Sequence, residues 1–420
     1  MLNRNQEYQR YLVLNLIYRF GPISRTELTD MMNCRPGTVG EITRELLEEQ
    51  LIVESGRLST GHGRRRAMLE LNKEFICSIG VSIARGSATT LITQLDGSIL
   101  HRTEDNVRPD MRKEELSARI YERVQDILER YGDRKIVGIG ISDPLYDPAL
   151  YSLTSTLVSN YEHFNDWVHF DLKPRLEALS GLSVETFSPV AFPALVEMRF
   201  GVAQGVRDFI SVELSNGIGA SLCVNGSPVE GSSGVAGELG HTVVDMSGNG
   251  DSLCYCGKRG CVETATAFPA LVQEIRSALG RGVQSMLRDL PNAPDQLSLA
   301  DIRRALQEGD AMCRFCVSRV AARIGVAIAN LVNLLNPELV VLHGFMLELG
   351  DYFIEEVSRA IRKNVLVLAK SFDIRISSSL TSMIPLGAAT EMFTSFLRVD
   401  DYNWVYRLAP DTWSVGAAGK

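Results

Sequence analysis

The sequence predicts an α/β protein with a small helical head at its N-terminus, and three patterns carry that expectation. The first 50 residues hold three segments of apolar residues at helical spacing, separated by short polar turns. From residue 75 onward, strand-like runs such as Phe75–Val81, Thr89–Leu95 and Ile136–Ile141 alternate with helical stretches such as Lys113–Tyr131. A chain of 420 residues also exceeds what one hydrophobic core spans, so two to four compact units are expected.

In the head, Gln6–Phe20 places Tyr8, Tyr11, Leu12, Leu14, Leu16 and Ile17 largely at helical spacing, and Gly21-Pro22 stops the helix. Ser24 with Glu27 three residues on is a capping-box pattern that starts a helix over Arg25–Met32. The turn Asn33-Cys34-Arg35-Pro36 leads into Gly37–Gln50, which carries Val39, Ile42, Leu46 and Leu47 on one face. Two short helices, a tight turn and a third helix make a helix-turn-helix. Leu51–Gly56 and Ala67–Leu71 then read as the two strands of a wing. Between them, the glycines of Gly61-His62-Gly63 allow close approach to a duplex, and Arg64, Arg65 and Arg66 suit a narrow minor groove or phosphates. Arg35, Thr38, Thr43 and Arg44 are expected to face the major groove. Glu41 in the same helix repels phosphate, although a carboxylate accepts a bond from a cytosine amino group. The plainer reading of these residues is a small interaction domain with an arginine run as a solvated turn.

Charge is distributed in keeping with a confined nucleic-acid contact. The whole chain carries −8, whereas residues 1–70 hold ten arginines against nine carboxylates. Hydrophobic residues at 45% and charged residues at 22% are ordinary for a soluble globular protein. No uninterrupted apolar run reaches the roughly 18 residues of a membrane span, and MLNRNQEYQR lacks the apolar stretch of a signal peptide. A cytoplasmic location without membrane contact is the expectation.

The sharpest chemical pattern is Gly237-Glu238-Leu239-Gly240-His241 followed by Cys254-Tyr255-Cys256-Gly257-Lys258-Arg259-Gly260-Cys261-Val262-Glu263. His241, Cys254, Cys256 and Cys261 supply one imidazole and three thiolates, the donor set of a closed, structural Zn2+ site. Gly257 and Gly260 provide the tight turns that let nearby cysteines converge on one ion. Three thiols within eight positions fit metal ligation better than a disulfide framework. Cys313 and Cys316 have no second pair and read as packing residues on a long apolar helix, Met312–Leu335. The Gly-x-Gly turns at Gly138–Gly140 and Gly217–Gly219 suit phosphate cradles or close crossings of the backbone equally well. No short-period repeat is visible.

The Gly237–His241 stretch together with Cys-x-Cys-Gly-x-x-Gly-Cys-x-Glu resembles the signature of the ROK family, which groups repressors and sugar kinases. The resemblance extends over essentially the whole chain, and the head is similar to the winged helix of the repressor branch. It implies an actin/hexokinase-like body of two lobes around a cleft. The expected division is a winged helix-turn-helix at 1–71, a first lobe at 72–190 completed by a C-terminal helix at 385–400, a second lobe at 191–384 with the zinc site, and a tail at 401–420. It further implies that Glu238 and Glu263 bind sugar hydroxyls and that His241 ligates zinc while ordering the sugar loop; Asn160 and Trp167 stand where the family has a sugar-contacting Asn and a nearby Trp. Carboxylates suit that task because they accept bonds from vicinal hydroxyls.

The same resemblance locates what a kinase would need. Family kinases take their base from the Asp of a Glu-Asn-Asp triplet before an Ala-rich helix. Aligned on Ala194-Leu195-Val196-Glu197 and Phe200-Gly201, that triplet is Phe187-Ser188-Pro189 here, and no Asp or Glu lies between Thr186 and Val196. The first phosphate loop reads Ser82-Ile83-Ala84-Arg85-Gly86 instead of Asp-x-Gly-Gly-Thr, and the adenosine turn reads Leu342-His343-Gly344-Phe345. Losing a base alone costs roughly 10²–10⁴ in rate, so no catalytic residue is assigned. Ser188 and Pro189 also alter sugar recognition, for which Asp143 is a candidate replacement carboxylate. The expectation is a repressor of carbohydrate-utilisation genes. As a homodimer or homotetramer it would bind a pseudo-palindromic operator, with a sugar or sugar-phosphate effector in an inactive kinase-like body. Its rivals are a DNA-binding regulator controlled by a protein partner and an active carbohydrate kinase.

Overall fold

The computed structural model describes residues 4–58, 66–84, 87–108, 111–142, 172–232, 234–245, 253–254, 256–290, 297–369, 371–377 and 383–397. Arg64, Arg65, Arg85, Gly86, Asp143, Asn160, Trp167 and the tail 401–420 lie outside them. The described residues divide into two compact units. One comprises 4–142, 172–189 and 384–397; the other comprises 190–383.

In the first unit the head forms helices α1 (Arg4–Phe20), α2 (Arg25–Met32) and α3 (Pro36–Glu48), with strands β1 (Ile23–Ser24), β2 (Ile52–Leu58) and β3 (Arg66–Leu71) in the order β1-β3-β2. The Ser24–Glu27 capping box is formed in both directions, and the two bonds from Ser24 hold the Glu27 carboxyl below its ordinary pKa. Asn33 ends α2 in the left-handed region and Pro36 opens α3, so the turn between the helices is set locally.

The body of this unit is a five-stranded sheet of β4 (Ile76–Ala84), β5 (Ser87–Gln94), β6 (Ile99–Asn106), β7 (Lys135–Ser142) and β8 (Val184–Phe187), ordered β6-β5-β4-β7-β8. Helix α4 (Lys113–Tyr131) buries Leu116, Ile120, Val124 and Ile127 in the core beside it. The helix Met383–Leu397 presses on the sheet so closely that a Cβ at Gly80 or Gly140 would stand about 2 Å from the carbonyl oxygens of Pro385 or Ala388. Gly140, one half of the Gly-x-Gly turn, is therefore a helix-packing position.

The head is not set off by a linker at Leu71–Phe75. Asn72 N–H donates to the Leu51 carbonyl, and Ile76 N–H donates to Asn72, making a tight hydrogen-bonded turn. Val13, Leu14, Ile17, Leu28, Val39 and Leu46 of the head share one apolar cluster with Ile76, Leu95, Phe393 and Leu397 of the body. Asn15 Nδ2 also donates to the Leu397 carbonyl at 3.0 Å. Each fully buried Leu, Ile or Phe contributes roughly 1.5–3 kcal/mol, so head and body are joined by packing.

The second unit repeats the sheet order of the first. Strands β9 (Phe209–Leu214), β10 (Ile218–Val224), β11 (Ser227–Pro228), β12 (Leu339–His343) and β13 (Asp373–Ile376) run β11-β10-β9-β12-β13. In each sheet the first three strands in chain order pair antiparallel, and the last two join the first in parallel. The helix Ala311–Leu335 is long and apolar enough by composition to cross a membrane, but its Val317, Val320, Ile324, Ile328 and Val332 lie in this unit's core. Cys313 and Cys316 are buried in it, and burial pushes their thiols up to about 12 and about 11.

Candidate DNA-binding face and metal-ligand cluster

Helix α3 turns Val39, Ile42, Thr43 and Leu46 inward and leaves Arg35, Gly37, Glu41, Arg44 and Glu48 exposed. Arg35 is the N-cap of this helix, Thr38 is half-buried behind it, and Arg44 pairs loosely with Glu48 at 3.9 Å across exposed side chains. Thr43 does not face outward. It is fully buried; its hydroxyl donates to the Gly40 carbonyl and accepts from Arg25 Nε at 2.9 Å. The reason is geometric: Thr43 lies four residues after Val39 and three before Leu46, inside the apolar stripe. Arg66 opens β3 and is exposed.

In the second unit the Gly237–His241 segment lies on β10. Gly237 has φ +92°, and a Cβ there would stand 1.9 Å from the Ala220 carbonyl oxygen. Only glycine lets the loop approach the strand this closely. The segment 242–245 then pairs with the turn before Cys261: Val244 N–H donates to the Gly260 carbonyl at 2.9 Å, and Val262 N–H donates to Thr242 at 2.9 Å. Cys254 N–H donates to Lys258, and Gly257 N–H to Cys254, which closes the cysteine turn.

These turns bring one donor atom from each of His241, Cys254, Cys256 and Cys261 within 4.8 Å of one another. Cys254 Sγ is 3.4 Å from His241 Nδ1, and Cys256 Sγ is 3.6 Å from Cys261 Sγ. A tetrahedron with bonds of about 2.3 Å to sulfur and about 2.0 Å to nitrogen has edges of roughly 3.5–3.8 Å. The donor set and its spacing therefore fit a tetrahedral metal ion. Without a cation the thiols oppose one another. Burial raises Cys254 to about 12 and raises Cys261, while Cys256 overcomes its own burial through bonds from the Lys258 N–H and its two cysteine neighbours and falls below the usual value. All eight cysteines are free of disulfides.

The two carboxylates assigned to hydroxyl binding have different surroundings. Glu238 is exposed, and its Oε2 lies 3.6 Å from His241 Nε2, on the side of the imidazole away from Cys254. Glu263 is half-buried and accepts from the Ile218 N–H at 3.3 Å, so it leans on the Ser215–Ile218 turn. Beside that turn sit two groups that the motif did not flag, a half-buried Glu213 and a buried His343. Burial raises the pKa of Glu213; the Ser215 hydroxyl partly offsets this, and Glu263 adds to the rise. His343, next to Glu213 across the β12–β9 ladder, is 4% exposed. Burial pushes it down to about 4, and its Nε2 has no hydrogen-bond partner among the described residues. Of the triplet expected to replace a kinase's base, Phe187 ends β8, Ser188 follows, and Pro189 opens a short 3₁₀ turn. No carboxylate stands in this stretch.

A three-helix, winged head packed onto a body whose two sheets share one strand order defines a helix-turn-helix protein with a sugar-kinase-like body. Residues 78–390 match the ROK family model, and the chain belongs to the ROK family. Residues 7–55 match a MarR family model. The chain is 26% identical to the xylose repressor of Caldicellulosiruptor bescii, over 94% of this chain and 98% of that protein. It is 28% identical to the DNA-binding transcriptional dual regulator NagC of Escherichia coli, over 86% and 88%. Among solved structures, a ROK family transcriptional regulator described as a homolog of Escherichia coli Mlc superposes with a TM-score of 0.73 at 23% identity, covering 96% of this chain and 98% of its own. A ROK family glucokinase from Streptomyces griseus, solved with glucose and AMPPNP, superposes with a TM-score of 0.59 at 22% identity, covering 74% and 98%. The family thus includes sugar kinases as well as regulators.

Proposed function

We propose that the chain is a sequence-specific repressor of carbohydrate-utilisation genes, acting in the cytoplasm, whose kinase-like body senses an effector without phosphorylating it. The observation that carries this reading is one chain that joins an exposed helix-turn-helix face to a kinase-like body with Pro189 where a kinase needs its base. The named repressors among its relatives support the same reading. Arg35, Thr38 and Arg44 reach base edges, and Arg64, Arg65 and Arg66 hold the backbone of a pseudo-palindromic operator bound by two copies. His241, Cys254, Cys256 and Cys261 would hold Zn2+, which with four protein ligands would order the loop and leave no position for a reactive water. Glu238 accepts bonds from effector hydroxyls, and Glu263 borders the same loop. Ser188 and Pro189 favour a second reading, in which a protein partner replaces the sugar as the signal.

The test is binding of the purified protein to labelled DNA from upstream of its own gene, at fixed salt, with a panel of sugars and sugar phosphates. We expect specific binding that one sugar releases and no ATP turnover with any sugar. Specific binding indifferent to every sugar supports the partner-controlled reading. Turnover of ATP with a sugar overturns the loss of catalysis, and absence of specific binding overturns the regulator itself.

A further inference from the structure

We infer that Arg323 is a positioning residue for the metal-ligand cluster, tying the core helix Ala311–Leu335 to the segment that carries Cys261. The inference rests on the reading of His241, Cys254, Cys256 and Cys261 as a metal site. Arg323 Nη2 lies 3.4 Å from Asp245 Oδ2, and its Nη1 lies 3.5 Å from Glu274 Oε2. Glu274, on the helix Phe268–Gly280, also pairs with Arg319 at 3.0 Å, one helical turn before Arg323. The Arg323, Asp245 and Glu274 side chains are between 17% and 26% exposed. Attraction between such charges is stronger than at an open surface, and salt screens it less.

Asp245 is in turn fastened to the cysteine turn. Both Val244 N–H and Asp245 N–H donate to the Gly260 carbonyl, at 2.9 and 3.3 Å, and Val243 bridges to Cys261. Gly260 has φ +75°, and a Cβ there would stand 2.0 Å from the Asp245 carbonyl oxygen, so only glycine lets these two backbones pack this closely. Apolar packing holds the cluster from one side, through Leu239 and Val262 in the core, while Val243 and Leu253 on its other side are exposed, so the ion pair supplies support where packing does not. A guanidinium fork that engages two carboxylates fixes direction as well as distance, which a single ammonium does not. Groups hydrogen-bonded directly to metal ligands typically change metal affinity by about 10–100-fold when lost, and Arg323 acts one link further out, through Asp245 and Gly260.

The experiment titrates metal-free full-length protein with Zn2+ against a chromophoric chelator, and with Co2+ for its ligand-field absorption. Arg323→Ala is expected to weaken Zn2+ binding by about 10-fold, the low end of the effect of direct ligand partners, and to perturb the Co2+ spectrum, with the far-UV circular dichroism unchanged. Arg323→Lys should recover part of the loss. Asp245→Asn should match Arg323→Ala, and the double variant should bind no more weakly than either single one. If Arg323→Ala does not fold, Asp245→Asn carries the comparison. Wild-type Zn2+ affinity in these variants, or additive losses in the double variant, overturns the inference. A wild-type protein that takes up no Zn2+ overturns the metal reading and the inference with it.

Discussion

The two units share a strand order, yet they use their sheets differently. The first extends its sheet's packing into a second module: Ile76, Leu95, Phe393 and Leu397 join the head in one apolar cluster, and no charged residue among the head's described residues is fully buried. The second draws charged and titratable groups inward, with Glu213, His343 and two cysteines of the cluster buried or nearly so. A region held by apolar packing responds mainly to cavities and little to metal or pH, the exception here being the capping-box Glu27, whose lowered pKa makes its contribution fade in acid. A region that buries ionisable groups is sensitive to both, because desolvation shifts their protonation equilibria.

The largest test of that contrast is Phe393→Ala. Phe393 is fully buried at the head–body junction, and removing its ring should cost about 3–5 kcal/mol. Hydrogen exchange should then accelerate in α1 and α3 as well as in the helix Met383–Leu397. Faster exchange confined to that helix would show that the head does not depend on the shared cluster.

A smaller effect is expected from His343. Its folded-state pKa of about 4 lies below the ordinary 6.5, so the unfolded chain takes up the proton first. Stability is therefore complete above about pH 6.5 and falls as the pH drops toward 4, by about 2 kcal/mol between pH 7.5 and pH 5. Urea denaturation of wild type and His343→Leu at those two pH values should show the difference shrink by that amount in the variant. An unchanged pH dependence would place the acid sensitivity elsewhere.

The smallest concerns Gly40 on α3. A Cβ there meets nothing within 4 Å, and the backbone is ordinary helix, so nothing within the protein requires glycine. Gly40→Ala should raise stability by about 0.5–1 kcal/mol while weakening operator binding, if the helix backbone approaches the duplex there. Raised thermal stability with unaltered DNA affinity would remove this position from the DNA-facing surface.

Local patterns were legible wherever they were complete within a few residues. The capping box, the start of α3, the helix Lys113–Tyr131 and the His/Cys spacing each need only short-range geometry. The burial of Thr43 was also written in the 39-42-43-46 spacing, but its polar side chain disguises its membership of the apolar stripe. The Arg323–Asp245 pair spans 78 positions, so no periodicity records it.

By itself, then, the sequence determined the classes of element, the helix-turn-helix, the donor set for a metal and the lack of a carboxylate between Thr186 and Val196. Each of these follows from residue type and near-neighbour spacing. Only the tertiary structure decided that two sheets with no visible sequence repeat share one strand order, that Phe393 and Leu397 complete the core of a head nearly 400 positions away, and that a half-buried Glu213 and a buried His343 stand side by side. Those outcomes depend on which distant surfaces exclude water from each other, and burial of that kind belongs to the packed chain rather than to any short stretch of it.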